Sequence, residues 1–214
     1  MNVGAALLLT AGATPPPLPD EFIGVSTKNT GVAHTLPAGW EVGDIGIVIG
    51  VAPNGVTGTI SAGWSQVGST YDWPQASLTS YDSYVFARVL EAGDSGPTFT
   101  AAFGGSQLLV VRAGSTVSLK SWAASPSNSA TTIEFAGFTK AGGSDLVIIM
   151  TIDRDPSTSG VAPEPFQKVG AGLSDFFGYL SFIAVSADYV ETDTELTGFD
   201  GAAYGQIGAI LEIT

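Results

Sequence analysis

Residues 45–51 read Ile45-Gly46-Ile47-Val48-Ile49-Gly50-Val51, between Gly43-Asp44 on one side and Pro53-Asn54-Gly55 on the other. Branched apolar side chains recur at every second position, the period of an extended strand, and the flanking Gly, Asp, Pro and Asn residues form turns. The run therefore predicts a strand held between two turns. Working outward, runs of the same kind occur at 84–90, 108–112, 146–152, 180–186 and 206–213, separated by segments such as Glu91-Ala92-Gly93-Asp94-Ser95-Gly96-Pro97. The apolar period of a helix is not sustained beyond about two turns anywhere. Many short strands with frequent turns predict an all-β fold, an antiparallel two-sheet β-sandwich of jelly-roll-like layering.

The two halves of the chain echo each other. Gly43-Asp44, an apolar strand and then Gly63-Trp64-Ser65-Gln66-Val67-Gly68 are answered by Ser144-Asp145, an apolar strand and then Pro165-Phe166-Gln167-Lys168-Val169-Gly170, at an offset of 101 to 102. Thr98-Phe99-Thr100 is answered by Glu195-Leu196-Thr197 at an offset of 97. Approximate repeats of this length imply that one structural unit is used twice. The organisation expected is an apolar arm and Pro-rich spacer over 1–20 and one sandwich over 21–214, with two small tandem domains as the alternative. Its repeat halves fall at about 32–115 and 135–214, joined by a crossing loop at Ser121–Ala130.

Composition narrows the function. Only 13% of the 214 residues are charged, against about 25% in an ordinary domain. Twenty acidic groups against seven basic ones give a net charge of −13, a field that repels phosphate backbones and argues against nucleic-acid binding. There is no cysteine, so thiolate nucleophiles, Cys-ligated metals and disulfides are excluded. A mean hydropathy of +0.31 with so few charges implies that part of the surface is covered by neighbouring subunits, as in a closed homo-oligomer such as a trimer or pentamer. No run reaches the 18 or so apolar residues of a membrane-spanning helix. The apolar start, Val3 to Leu9, lacks the basic flank of a secretory signal, since the first basic residue is Lys28. It reads as an extended arm, with Val3, Leu7, Leu8 and Leu9 as docking residues. Pro15, Pro16, Pro17 and Pro19 then act as a stiff spacer.

The succession Leu36-Pro37-Ala38-Gly39, Val42-Gly43-Asp44 with its strand, Gly63-Trp64, Tyr84-Val85-Phe86-Ala87-Arg88-Val89, Ala92-Gly93-Asp94 and Thr98-Phe99-Thr100 resembles a family of β-sandwich structural proteins of tailed-bacteriophage virions, found as head-decoration and tail components. Residues 32–115 carry the likeness and 135–214 carry its echo. Ala62-Gly63-Trp64 departs from the usual Pro-x-Gly-Trp. The resemblance implies a non-enzymatic role on the outside of a virion, assembled in the host cytoplasm, with capsid or tail proteins as partners. It implies no catalytic residues and no cofactor.

Several groups of residues carry the chemistry of a candidate site. His34 is the sole histidine, so any Ser-His-Asp triad would have to use it. Asp153, Asp155, Asp188, Glu191, Asp193 and Glu195 offer oxygens for calcium or a carboxylate pair for glycoside hydrolysis, but match neither spacing and read as solvated loops. Trp40, Trp64, Trp73 and Trp122 sit in or beside expected loops. Of these, Trp73 with Tyr71 and Tyr81 makes the best platform for a sugar ring, which gives the alternative reading of a carbohydrate-binding adhesion module for host-surface glycans. Trp64 reads as a core plug. Gly104-Gly105 and Gly142-Gly143 open no helix and so cradle no phosphate.

Overall fold

The computed structural model describes residues 18–73, 81–101, 104–126, 130–154, 158–199 and 205–214, and among them there is no helix. The first half supplies β1 (Phe22–Asn29), β2 (Ile45–Pro53), β3 (Thr59–Ile60), β4 (Ser65–Gln66), β5 (Tyr71–Asp72), β6 (Tyr81–Val89), β7 (Phe99–Thr100) and β8 (Gly105–Val111). The second supplies β9 (Val117–Ala124), β10 (Ile133–Phe135), β11 (Leu146–Asp153), β12 (Gln167–Leu173), β13 (Gly178–Val185), β14 (Thr194–Leu196) and β15 (Gln206–Ile213). One sheet runs β1-β8-β2-β6-β4, with β5 also on β6; the other runs β12-β13-β11-β15-β9, and every pairing is antiparallel.

The two sheets are the same object twice. In the first, Ile45 of β2 lies opposite both Val89 and Val111; in the second, Leu146 of β11 lies opposite both Val185 and Ile213. The smaller pairings repeat as well. β3 pairs with β7 as Val161 bridges Thr197, and Ala33 bridges Thr98 as Glu134 pairs with Glu195. Each sheet is completed within its own half of the chain. The sandwich layering is therefore as expected, while the connectivity differs from a jelly roll, whose chain passes back and forth between sheets. The segment expected as a crossing loop from Ser121 begins instead as the second half of β9, the edge strand of the second sheet.

Period two explains the core. Ile45, Ile47, Ile49 and Val51 face Leu146, Ile148, Met150 and Ile152 across the sandwich, and all are buried. The opposite face of each sheet is covered too. On β2 it is made of Gly46, Val48 and Gly50, where a Cβ would lie 2.5 Å from the Trp64 ring at Gly46 and 2.8 Å from the Phe99 ring at Gly50. Absent side chains thus leave room for aromatic plugs. Phe166 takes the place of Trp64 in the second half, over Val147. One lateral side of the sandwich closes where β1 meets β12. There a Cβ at Gly170 would lie 2.8 Å from Val25, so glycine permits the approach. On the other side Trp122 of β9 stacks on Tyr71 at 5.5 Å and donates from Nε1 to the Ser69 carbonyl at 3.0 Å.

Candidate functional site

Beside that stack the two sheet edges part and leave a groove of about 800 Å³. Ile45, Val67, Ala87, Val117 and Leu119 supply its apolar lining; Ser65, Gln66, Arg88, Glu91, Ser115, Thr116 and Ser118 supply its polar lining. Arg88 carries the only basic group of the lining, and it is tied down. It pairs with Asp94 at 2.7 Å and Glu91 at 3.4 Å and donates to the Ala62 carbonyl at 3.2 Å. The lining holds no histidine, so the groove presents hydroxyls over an apolar floor and no acid–base pair poised for proton transfer.

The proposed sugar platform is divided among different tasks. Trp73 is 5% exposed, donates from Nε1 to Ser83 Oγ at 2.8 Å, and packs edge-on to Tyr81 and Phe177. Its ring belongs to the core between the sheets, with no face left for stacking. Tyr71 gives one face to Trp122. Tyr81 lies under the Arg154 guanidinium at 5.5 Å and, with Phe176 and Phe177, lines a small cup of about 120 Å³. Phe176 is 48% exposed and also lies under Arg154. Trp73 stands near Tyr71 and Tyr81 in the sequence, which made it look like part of a platform; its partner Ser83 lies on β6, and no local pattern reveals that.

His34 is sealed between the first sheet and its covering loops, 3% exposed. Nε2 lies 2.8 Å from Ser106 Oγ and Nδ1 lies 3.2 Å from Ser26 Oγ. Burial, then the charge of Lys28, lowers its pKa from 6.5 to about 4, against a hydrogen bond at Ser26 that works the other way. A neutral, buried imidazole held between two hydroxyls is a structural group.

The acidic residues are dispersed. Asp193 accepts from the Gly137 N–H at 2.9 Å and Glu191 from the Lys140 N–H at 2.8 Å, so both cap backbone in the loops over the second sheet. Asp153 is buried at the end of β11, Glu195 is exposed on β14, Asp188 is an exposed turn residue, and Asp155 lies outside the described residues. Among the described residues no three His, Asp or Glu groups converge on a point that would hold a metal. Val3, Leu7, Leu8 and Leu9 also lie outside the described residues.

Three charged pairings were not visible in the sequence. Arg112 grips Asp44 with two nitrogens, at 2.9 and 3.1 Å. Lys120 pairs with Glu212, which is fully buried. Burial works to raise that carboxyl, but Lys120, the Ala141 N–H and Ser144 outweigh it and hold it below the usual range. Asp72 and Asp82 stand opposite each other on β5 and β6. Burial, and then the facing Asp72, raises the Asp82 carboxyl. The repeated Tyr-Asp words at 71–72 and 81–82 were the available signal, but only the register places them face to face.

Compared with family models, curated proteins and solved structures, the chain matches none.

Proposed function

We propose that the protein is a non-enzymatic structural component of a bacteriophage virion, a head decoration or tail part, that works by self-association and docking on the particle. The observation that carries this reading is the groove beside β9. It opens where two sheets end, it offers an apolar floor and a hydroxyl rim, and its one cation is already neutralised. Such a surface suits another stretch of chain better than a reacting substrate.

The words that resemble the phage family support the reading in a particular way: each does a structural job. Gly43 and Gly93 take positive φ, and the Asp that follows each accepts the N–H of the residue three before it, Glu41 at 2.7 Å and Glu91 at 2.8 Å. Trp64 and Phe99 plug the glycine faces of β2. A likeness built of capped turns and plugs speaks to architecture, as expected of a particle component.

Density-gradient fractionation of the native source, with mass spectrometry of the particle band, tests the proposal. Banding with capsid protein at a fixed ratio is expected; free protein at the top of the gradient overturns it.

A second reading, adhesion through a host glycan, is favoured by the cup of Tyr81, Arg154 and Phe176 rather than by Trp73. An exposed ring beside a guanidinium suits a sugar that carries a carboxylate. Glycan-array binding that disappears in Phe176→Ala while the fold survives would establish it.

A further inference from the structure

Polar groups also gather on the outer face of the second sheet. Met150, Ile152 and Ile207 point into the core between the sheets, so by the period of two Thr151, Asp153 and Gln206 point the other way. Asp153 of β11 stands directly opposite Gln206 of β15, and Thr151 stands opposite Gly208. Side chains so placed lie about 5 Å apart across the strands and about 7 Å apart on the diagonal, which brings all three within reach of one point. Phe135 walls the cluster on one side: a Cβ at Gly208 would lie 2.7 Å from its ring and 3.1 Å from Thr151 Cγ2.

All three residues are at most 3% exposed. Neither amide atom of Gln206 has a hydrogen-bond partner, and the Thr151 hydroxyl has none either. Withdrawing such groups from water without replacement bonds is costly, and buried polar atoms are almost always satisfied by protein, water or an ion. The architecture does not demand them. Counted from Ile45 and Leu146, and from Val111 and Ile213, the equivalent positions of the first sheet are Gly50, Ala52 and Gly104, and none of these carries a polar side chain.

The cluster offers a carboxyl, an amide and a hydroxyl oxygen, with no imidazole and no sulfur. Zinc favours nitrogen and sulfur, and magnesium keeps most of its water in a tight octahedron, whereas calcium accepts mixed oxygens in a flexible shell. Because neither amide atom is committed, Gln206 can turn its oxygen to a cation without giving up a hydrogen bond. The net charge of −13 draws cations to the protein. We propose that Asp153, Gln206 and Thr151 bind a calcium ion that clamps the end of β11 to the start of β15. Water fills the coordination positions these three leave open. Only one donor is acidic, so the site differs from the carboxylate clusters expected from the sequence, and it does not depend on self-association.

The test uses the full chain, stripped with a chelator and exchanged into metal-free buffer. Calcium chloride at about a hundredfold above Kd is expected to raise Tm by about 5–10 °C, with calorimetric titration giving one ion per chain. Magnesium at the same concentration is expected to do much less. Gln206→Leu and Thr151→Val, each close in volume to the residue replaced, are expected to lose the calcium response. In chelator they should match or exceed the unaltered protein in stability, because each deletes an unpartnered polar group. That measurement also shows which variants fold, and either one suffices. Three results overturn the proposal. No calcium response in the unaltered protein leaves the cluster to water alone. An equal response to magnesium is counterion screening of the acidic surface. A calcium response that survives in either folded variant places the ion elsewhere.

Discussion

The buried histidine ties stability to pH, with a sign fixed by its environment. In the unfolded chain an imidazole takes up a proton as the pH falls through 6.5; in the fold His34 does so only near 4. The neutral form is favoured by folding, so its contribution is fully present above 6.5, is lost progressively between 6.5 and about 4, and falls no further below that. The gap corresponds to about 3 kcal/mol at about 1.4 kcal/mol per pH unit, a large part of a typical folding free energy. The perturbation is His34→Gln, whose amide still reaches for the hydroxyls of Ser26 and Ser106 but does not titrate. Urea unfolding followed by tryptophan fluorescence gives the free energy of both proteins at each pH. Subtracting one from the other removes the carboxylates they share. The advantage of the unaltered protein is expected to shrink by about 3 kcal/mol between about pH 7 and pH 4. A difference that stays level across that range refutes the reasoning, because it would mean that the imidazole titrates alike in both states.

Three further outcomes follow from packing and pairing. Gly46→Val drives a side chain into the Trp64 ring and is expected to cost about 1–3 kcal/mol in denaturant unfolding. The pair Gly46→Val/Trp64→Phe copies Val147 and Phe166 of the other half and is expected to recover most of that loss, a non-additivity that a double-mutant cycle reads directly. Lys120→Met strands the Glu212 carboxylate in the interior and should cost about 3–5 kcal/mol at neutral pH, whereas Lys120→Met/Glu212→Leu should cost much less; equal losses would refute the pairing. Asp82→Asn removes a charge that its burial and Asp72 disfavour, and should stabilise the protein at neutral pH by about 1 kcal/mol. Since the folded state raises the Asp82 pKa, that gain should fade as the pH drops and the native carboxyl becomes protonated.

The strands at the centre of each sheet were legible because their neighbours on both sides are strands: Ile45 to Val51 and Leu146 to Ile152 carry strong β-branched patterns between turn residues. The edge strands were not. β1 mixes Ser, Thr, Lys and Asn with its apolar residues, β12 is thinned by Gly170 and Gly172 where β1 lies against it, and β9 is half-buried and rich in Ser and Ala. Side-chain preference for strands reflects packing on neighbours, and edges have fewer of them. The groove shares that difficulty, since it is made where two edges fail to meet. Trp73 shows the opposite error: its indole looked available because Ser83, which satisfies its N–H, is ten residues away on another strand.

Each sheet draws all its strands from one continuous stretch, 22–111 for the first and 117–213 for the second. Either half alone would expose the apolar face that Ile47 and Ile148 now bury against each other, and would remain soluble only by finding a twin. The two halves act as like units packed face to face, with residues 112–116 as the tether between them. The halves differ in their buried polar groups: the Lys120–Glu212 ion pair stands in the second and the buried His34 in the first. The tether holds the two units at one to one and keeps each apolar face beside its partner at any protein concentration.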